Sequence, residues 1–107
     1  MFHYESRPIC FFTYNRLKET IETINSLKEN HLASKSELFI FSDGYKNEKG
    51  RQKVEDVRKY INTIEGFKSV TVFESTVNKG LANSIIDGVS KIINEYDRVI
   101  VLEDDLV

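Results

Sequence analysis

The sequence of 107 residues has little of what builds several common kinds of functional site. It contains one cysteine, Cys10, one proline, and two widely separated histidines, His3 and His31. A single cysteine excludes an internal disulfide and suits a reducing compartment such as the cytoplasm. Isolated histidines exclude both a Cys/His zinc cluster and a Ser/His/Asp triad. Without repeats, low-complexity tracts or a proline-rich linker, the chain is expected to form one small domain.

Neither an excess of charge nor a long apolar run is present. The chain has 15 Lys and Arg residues against 17 Asp and Glu residues, a formal net charge of −2. This balance gives no basic footprint for nucleic acid or for an anionic membrane. No apolar run reaches the roughly 18 to 20 residues that span a bilayer, and the first residues lack the apolar core of a signal peptide. We therefore expect a cytoplasmic location, and a peripheral association with a membrane stays open.

Strand-like apolar runs alternate with segments of helical periodicity. The predicted strands cover residues 8–13, 37–42, 69–74 and 98–102. The predicted helices begin after Asn15, which can cap the first of them, near Glu48, and after Gly80; the second ends near Gly66. The charged stretch from Glu48 to Arg58 is expected to be a solvent-facing surface. The order β-α-β-α-β-α-β predicts a three-layer α/β/α protein with a mainly parallel sheet and right-handed crossovers.

In this arrangement the first, second and fourth strands, which are apolar on both faces, are expected to lie between helices. The pattern around Cys10 also favours a buried and inert thiol. Ligands of such sheets bind at the carboxyl ends of the strands, where the strand order reverses. The polar residues at those ends lie in segments 13–16, 42–44, 75–80 and 103–105.

The last of these segments is the acidic triplet Glu103-Asp104-Asp105. Adjacent carboxylates repel one another, and a divalent cation with oxygen ligands removes that cost while offering a contact for phosphates. Asp43 ends the second strand, and Tyr14 and Arg16 could add a stacking face and a cation. The sequence has neither a P-loop nor a G-x-G-x-x-G turn. The acidic and polar residues at the strand ends are consistent with a metal-dependent nucleoside-diphosphate site.

Four segments resemble the nucleotide-sugar-binding half of a GT-A-fold glycosyltransferase. They are PICFFTYNR, FSDG, NKGLANSIIDGV and VIVLEDD. The resemblance is to the large family-two group of bacterial enzymes, and the acidic triplet is similar to the Glu-Asp-Asp form of the D-x-D motif in N-acetylglucosaminyltransferase I-like enzymes. It covers the chain from about Pro8 to Val107 and implies a Rossmann-like half of a GT-A fold.

The resemblance implies a role for each matching residue. Thr13 and Tyr14 would line the base, and Asp43 would contact the base or the ribose. Gly80 would open the third helix near the nucleotide, with Arg16 as a further contact. Asp104 would lie near the ribose, whereas Asp105, with Glu103, would hold Mn²⁺ or Mg²⁺. The donor would be a nucleoside-diphosphate sugar, with a UDP-sugar favoured, and the acceptor a glycan or a lipid-linked sugar.

Two departures from the family pattern concern the diphosphate and the base. A single acid, Asp43, follows the second strand where many members have two, and Ile85-Ile86-Asp87 stands where many have Ala-Arg-Asn. The acceptor half and the general base are expected beyond Val107, so residues 1–107 alone are predicted to be inactive. A fourth strand without its usual neighbours would also permit self-association.

A flavodoxin-like or receiver-type signalling module is the alternative, because it shares the alternating elements and acidic strand ends. A receiver would need an acidic pair after the first strand and a phospho-accepting Asp after the third. Here Tyr14-Asn15-Arg16 and Ser75-Thr76 occupy those places. A sugar nucleotidyltransferase is also less well supported, since the glycine-rich phosphate loop is missing.

Overall fold

The computed structural model describes residues 7–104, and within this part the predicted α/β order is confirmed. The elements are β1 (Ile9–Thr13), α1 (Leu17–Glu29), β2 (Glu37–Ser42), α2 (Arg51–Ile61), β3 (Ser69–Glu74), α3 (Leu81–Ile93) and β4 (Ile100–Glu103). Short 3₁₀ helices, Ala33–Lys35 and Glu48–Gly50, precede β2 and α2. No helix among residues 7–104 is long and apolar enough to cross a membrane.

The four strands form one parallel sheet in the order β3-β2-β1-β4. The chain adds β2 and then β3 on one side of β1, and then returns to place β4 on the other side. The carboxyl ends of β1 and β4 therefore flank the point where the strand order reverses, which is where ligands bind in sheets of this type. Phe12 in β1 fixes the register there, because it pairs with both Phe41 and Glu103.

Both faces of the sheet carry a hydrophobic cluster, but the two clusters differ in cover. On one face α1 and α2 supply Ile24, Val57 and Ile61, which pack with buried side chains of β1 and β2. On the other face a smaller cluster centres on Cys10, Phe12 and Ile92, the last from α3. All five residues of β1 are buried, as expected for the strand that lies between helices on both sides.

A row of phenylalanine rings crosses the sheet beneath α3. Phe12, Phe41 and Phe73 stack face to face, with ring centroids 4.8 and 4.9 Å apart, because strand pairing places them side by side. Gly88 lets the helix approach this row: a Cβ on it would lie 2.8 Å from Phe12 Cε2 and 3.0 Å from Phe41 Cε1. The close packing of α3 on the sheet therefore depends on Gly88 having no side chain.

β4 differs from its prediction, because it forms an edge of the described sheet. Ile100 and Val101 remain 40% and 39% exposed, so the expectation that helices cover this strand on both faces is wrong. Its position at an edge does match the expectation of an unprotected fourth strand. Exposed apolar side chains on an edge strand favour pairing with another chain.

Two helix boundaries also differ from prediction. Arg16, without a side-chain cap, precedes α1, so the proposed capping role of Asn15 is wrong. The second helix ends at Ile61 rather than near Gly66, and Ile64 packs into the core from the segment that follows. The backbone N–H groups of Thr63 and Ile64 bond three residues back, to the Tyr60 and Ile61 carbonyls at 2.9 and 3.4 Å, so the chain tightens into a turn after Ile61.

Candidate functional site

The carboxyl ends of the strands and the first turn of α3 enclose a cavity of about 390 Å³. This volume lies within the usual range for small-molecule sites. Its walls contain a mixture of aromatic, hydroxyl, amide and charged side chains, contributed by Phe12, Thr13, Tyr14, Asn15, Arg16, Phe41, Asp43, Lys46, Asn78, Gly80, Leu81, Ser84 and Asp104. The cavity lies where the strand order reverses, as the topology predicts.

A chain of hydroxyl contacts joins β1 to the acidic segment after β4. The Thr13 hydroxyl lies 2.7 Å from the Thr20 hydroxyl and donates to Asp104 Oδ2 at 3.2 Å. Both contacts are satisfied when Thr20 donates to Thr13 and Thr13 donates to the carboxylate. Thr20 is fully buried on the inner face of α1. The orientation of Asp104 toward the cavity is thus supported from inside the protein.

The Asp43 carboxylate holds the loop that leads into α3. Its Oδ1 accepts hydrogen bonds from the backbone N–H groups of Gly44 and Lys79, both at 2.9 Å. Its Oδ2 accepts from the Gly80 backbone N–H at 3.0 Å and from the Asn78 side-chain amide at 3.3 Å. A carboxylate has about four acceptor positions, so these bonds use its capacity. Asp43 therefore orders residues 78–80 while one edge of it faces the cavity.

Gly44 is required by the same loop. A Cβ on this residue would lie 2.6 Å from the Val77 carbonyl oxygen and 2.7 Å from the Val77 carbonyl carbon, and neither backbone atom can rotate away. The Asn78 side-chain amide also donates to the Gly44 carbonyl at 2.7 Å. Asp43-Gly44 is consequently both the end of β2 and a support for the N-terminus of α3.

Arg58 of α2 ties the carboxyl ends of β2 and β3 together. Its Nε donates to Ser42 Oγ at 2.9 Å, and its Nη2 donates to the Ser75 carbonyl at 2.8 Å and to the Asp43 carbonyl at 3.2 Å. Only 21% of this side chain is exposed. The prediction that segment 48–58 is an ordinary solvent face is therefore wrong at Arg58, which lies under the site.

The structure brings most of the predicted site residues to one cavity. Six of them line it, namely Thr13, Tyr14, Arg16, Asp43, Gly80 and Asp104. Gly80 has a positive φ of 82°, precedes α3 and has open space where a Cβ would be, so its backbone conformation is what requires glycine. Glu103 ends β4 and does not line the cavity. Asp105 lies outside the described residues. The individual binding roles stay predictions.

Several residues of the site were not predicted individually, although Asn78 lies in the predicted polar segment 75–80. Asn78 and Ser84 line the cavity, and Arg58 and Thr20 support it. The sequence contained a signal for Thr20 and Arg58. Thr20 lies on the inward face of α1 with Ile24, and Arg58 lies on the inward face of α2 with Val57. A polar residue on such a face requires a buried partner. The partner of Asn78 could not be found this way, since Asp43 lies 35 positions earlier.

The acids that could hold a metal ion are concentrated in the segment that begins with Glu103. Among residues 7–104, no group of three His, Cys, Asp or Glu side chains is arranged to hold a metal ion. Asp104 reaches the cavity and Glu103 belongs to β4, so these residues start the oxygen-rich segment that Asp105 continues. Carboxylate oxygens are the ligands that Mg²⁺ and Mn²⁺ prefer. The acidic segment thus has the right donor chemistry.

Cys10 and His31 take no part in the site. Cys10 is fully buried in the cluster beneath α3, and burial raises the pKa of its thiol to about 11, so the thiol stays protonated and inert as predicted. His31 is exposed on the segment after α1 and does not line the cavity. His3 lies outside the described residues.

The fold and the cavity define an α/β protein with a polar ligand site at the switch point of a parallel sheet. A comparison with known protein families matches residues 9–107 to Glycosyl transferase family 2. The chain belongs to this family, and its parallel sheet with flanking helices is consistent with the GT-A fold. Searches of curated proteins and of solved structures found no match. Family membership favours glycosyl transfer over the receiver-type alternative.

Proposed function

We propose that this domain binds a nucleoside-diphosphate sugar in the 390 Å³ cavity and presents it for transfer to an acceptor. The observation that carries the proposal is the convergence of six predicted contact residues, from β1, β2, the loop before α3 and the end of β4, on one cavity. A UDP-sugar is the favoured donor. The acceptor would be a glycan or a lipid-linked sugar, in bacterial glycan or polysaccharide synthesis.

The base and ribose would occupy the part of the cavity nearest β1 and β2. Tyr14 offers an aromatic ring, and Thr13 offers a hydroxyl that already bonds to Asp104. A ribose hydroxyl could donate to the Asp104 carboxylate beside that bond. Asp43 would contribute mainly by holding residues 78–80 in place, with base or ribose contact as its second role.

The diphosphate would lie toward the N-terminus of α3 and the acidic segment. The 13-residue helix α3 directs the positive end of its dipole to the cavity through Gly80 and Leu81. A divalent metal, Mn²⁺ or Mg²⁺, held by Glu103 and Asp105 would supply Lewis-acid stabilisation of the leaving diphosphate.

Calorimetric titration of the full protein with UDP-sugars, with and without Mn²⁺, tests this proposal. We expect saturable binding that Mn²⁺ strengthens, and we expect Asp104→Asn and Asp105→Asn to weaken it at least tenfold because each removes a charged acceptor. Asp87→Asn is the matched control, since Asp87 is an exposed acid of α3 outside the cavity. A folded protein that binds no nucleoside-diphosphate sugar under either condition would refute the proposal.

A further inference from the structure

The α3 side of the cavity supplies no cation for a diphosphate. Lys79, just before α3, pairs with Asp87 at 3.3 Å and lines the neighbouring groove rather than the cavity. Lys91 lies over the ring of Phe73, with its Nζ 4.6 Å from the ring centroid. Asp87, the acid of α3, lines the neighbouring groove and not the cavity. A cationic side chain for the diphosphate would therefore come from another wall of the cavity.

Lys46 lines the cavity from the segment that follows β2. Within residues 7–104 it forms no ion pair. Glu48, two positions further along the chain, is already engaged, because it pairs with Arg51 at 3.6 Å. Lys46 is thus a cavity-lining cation that stands outside the ion pairs of residues 7–104.

The backbone on both sides of Lys46 is anchored. Gly44 donates its N–H to the Val77 carbonyl at 3.3 Å, and the Tyr45 ring lies 5.9 Å from the Arg51 guanidinium. Asn47 caps the following 3₁₀ helix by accepting the Gly50 N–H at 3.3 Å. Because the backbone is already anchored, only the rotamers of the Lys46 side chain have to be ordered when it binds an anion.

We propose that Lys46 binds the diphosphate of the donor and supplies the positive charge that α3 lacks. This inference rests on the proposed function, and it adds a residue that selects phosphorylated ligands. The cavity also contains the carboxyl groups of Asp43 and Asp104, which repel an approaching diphosphate. Lys46, together with Arg16, offsets that repulsion on the protein side.

The test compares ligands with increasing numbers of phosphates on the full protein. Uridine, UMP, UDP and a UDP-sugar are titrated into the wild type, Lys46→Ala, Lys46→Arg and Lys46→Glu, with Mn²⁺ present. We expect Lys46→Ala to weaken UDP and UDP-sugar binding about three- to tenfold and to leave uridine binding unchanged. Lys46→Arg should retain UDP binding, and Lys46→Glu should lose more than Lys46→Ala.

Lys49→Ala is the matched control, because Lys49 is an exposed lysine three residues away that does not line the cavity. Equal UDP affinity in Lys46→Ala and wild type would overturn the role of Lys46 while leaving the proposed function intact. An equal loss for uridine and UDP would also overturn it, since it would indicate a structural effect. Absence of UDP-sugar binding in the wild type would instead remove the proposed function and this inference with it.

Discussion

At the scale of single residues, the site is built by polar groups that bond to the protein before any ligand is considered. The buried carboxylate of Asp43 accepts four hydrogen bonds, and the Arg58 guanidinium donates to two carbonyls and a hydroxyl within 3.2 Å. Leaving such groups unpaired costs more than each bond contributes net, so each is difficult to replace. These residues therefore determine the shape of the cavity as well as its charge.

Two arginines of α2 offer a matched comparison of this effect. Arg58→Met should lower the free energy of unfolding by about 2–3 kcal/mol, because it leaves the Ser42 and Ser75 acceptors without their charged donor. Arg51→Met should cost less than about 1 kcal/mol, since the Arg51 side chain is 52% exposed and both of its ion pairs are with exposed acids. Urea denaturation followed by circular dichroism measures both. Similar losses for the two variants would contradict a supporting role of Arg58.

At the scale of elements, the contact between α3 and the phenylalanine row sets where the helix N-terminus lies. Gly88 is the point of closest approach, and Phe12 and Phe41 have little room to move, because stacking and strand pairing hold their rings. Leu81 and Ser84, in the first turn of the same helix, line the cavity. A displacement of α3 from the sheet would consequently widen or close the site.

The contact between α3 and the phenylalanine row is tested by whether Gly88→Ala raises or lowers the stability of the protein. Helix propensity alone would make the variant more stable by about 1 kcal/mol. The 2.8 Å approach to Phe12 should reverse this and lower stability by about 1–3 kcal/mol. Ser90→Ala, on an exposed position of the same helix, should be neutral or slightly stabilising. Thermal unfolding of both proteins measures the difference, and a stabilised Gly88→Ala would exclude the proposed close packing.

The helices and strands were largely predictable from sequence, whereas the hydrogen bonds that join distant segments were not. β2 and β3 match the predicted residues because apolar runs between polar ends define them locally. β4 was predicted as covered because periodicity cannot reveal which strand is at an edge. Likewise, the position of Asp43 at a strand end was predictable, but its bonds to residues 78–80 depend on how a distant loop returns to the sheet.

At the scale of the whole molecule, burial of one thiol makes stability depend on pH. Burial raises the pKa of Cys10 from 9.0 to about 11, so the folded protein retains a proton that the unfolded chain releases. The contribution of this group is fully present below pH 9 and is lost as the pH rises to 11. Over that interval the free energy of unfolding should fall by about 2–3 kcal/mol from this group alone.

Urea denaturation of the wild type and Cys10→Ala between pH 8 and 11 measures this contribution. The variant should lose less stability over the interval, since the ionising group is gone. Tyr96 gives both proteins a shared loss at higher pH, because its hydrogen bond to Glu37 raises the tyrosine pKa to about 12. Parallel pH profiles for the two proteins would show that Cys10 is not the group responsible.

The hydrogen bonds of Asp43 also have a thermodynamic consequence for ligand recognition. A ligand that donates to Asp43 must exchange places with a group already bonded there, and the Asn78 amide, at 3.3 Å, holds the longest of the four bonds. Asn78 also donates to the Gly44 carbonyl at 2.7 Å, so its side chain stays attached when that bond is exchanged. Recognition at Asp43 would then proceed by partner exchange, and its affinity would include the cost of reorganising the loop that begins α3.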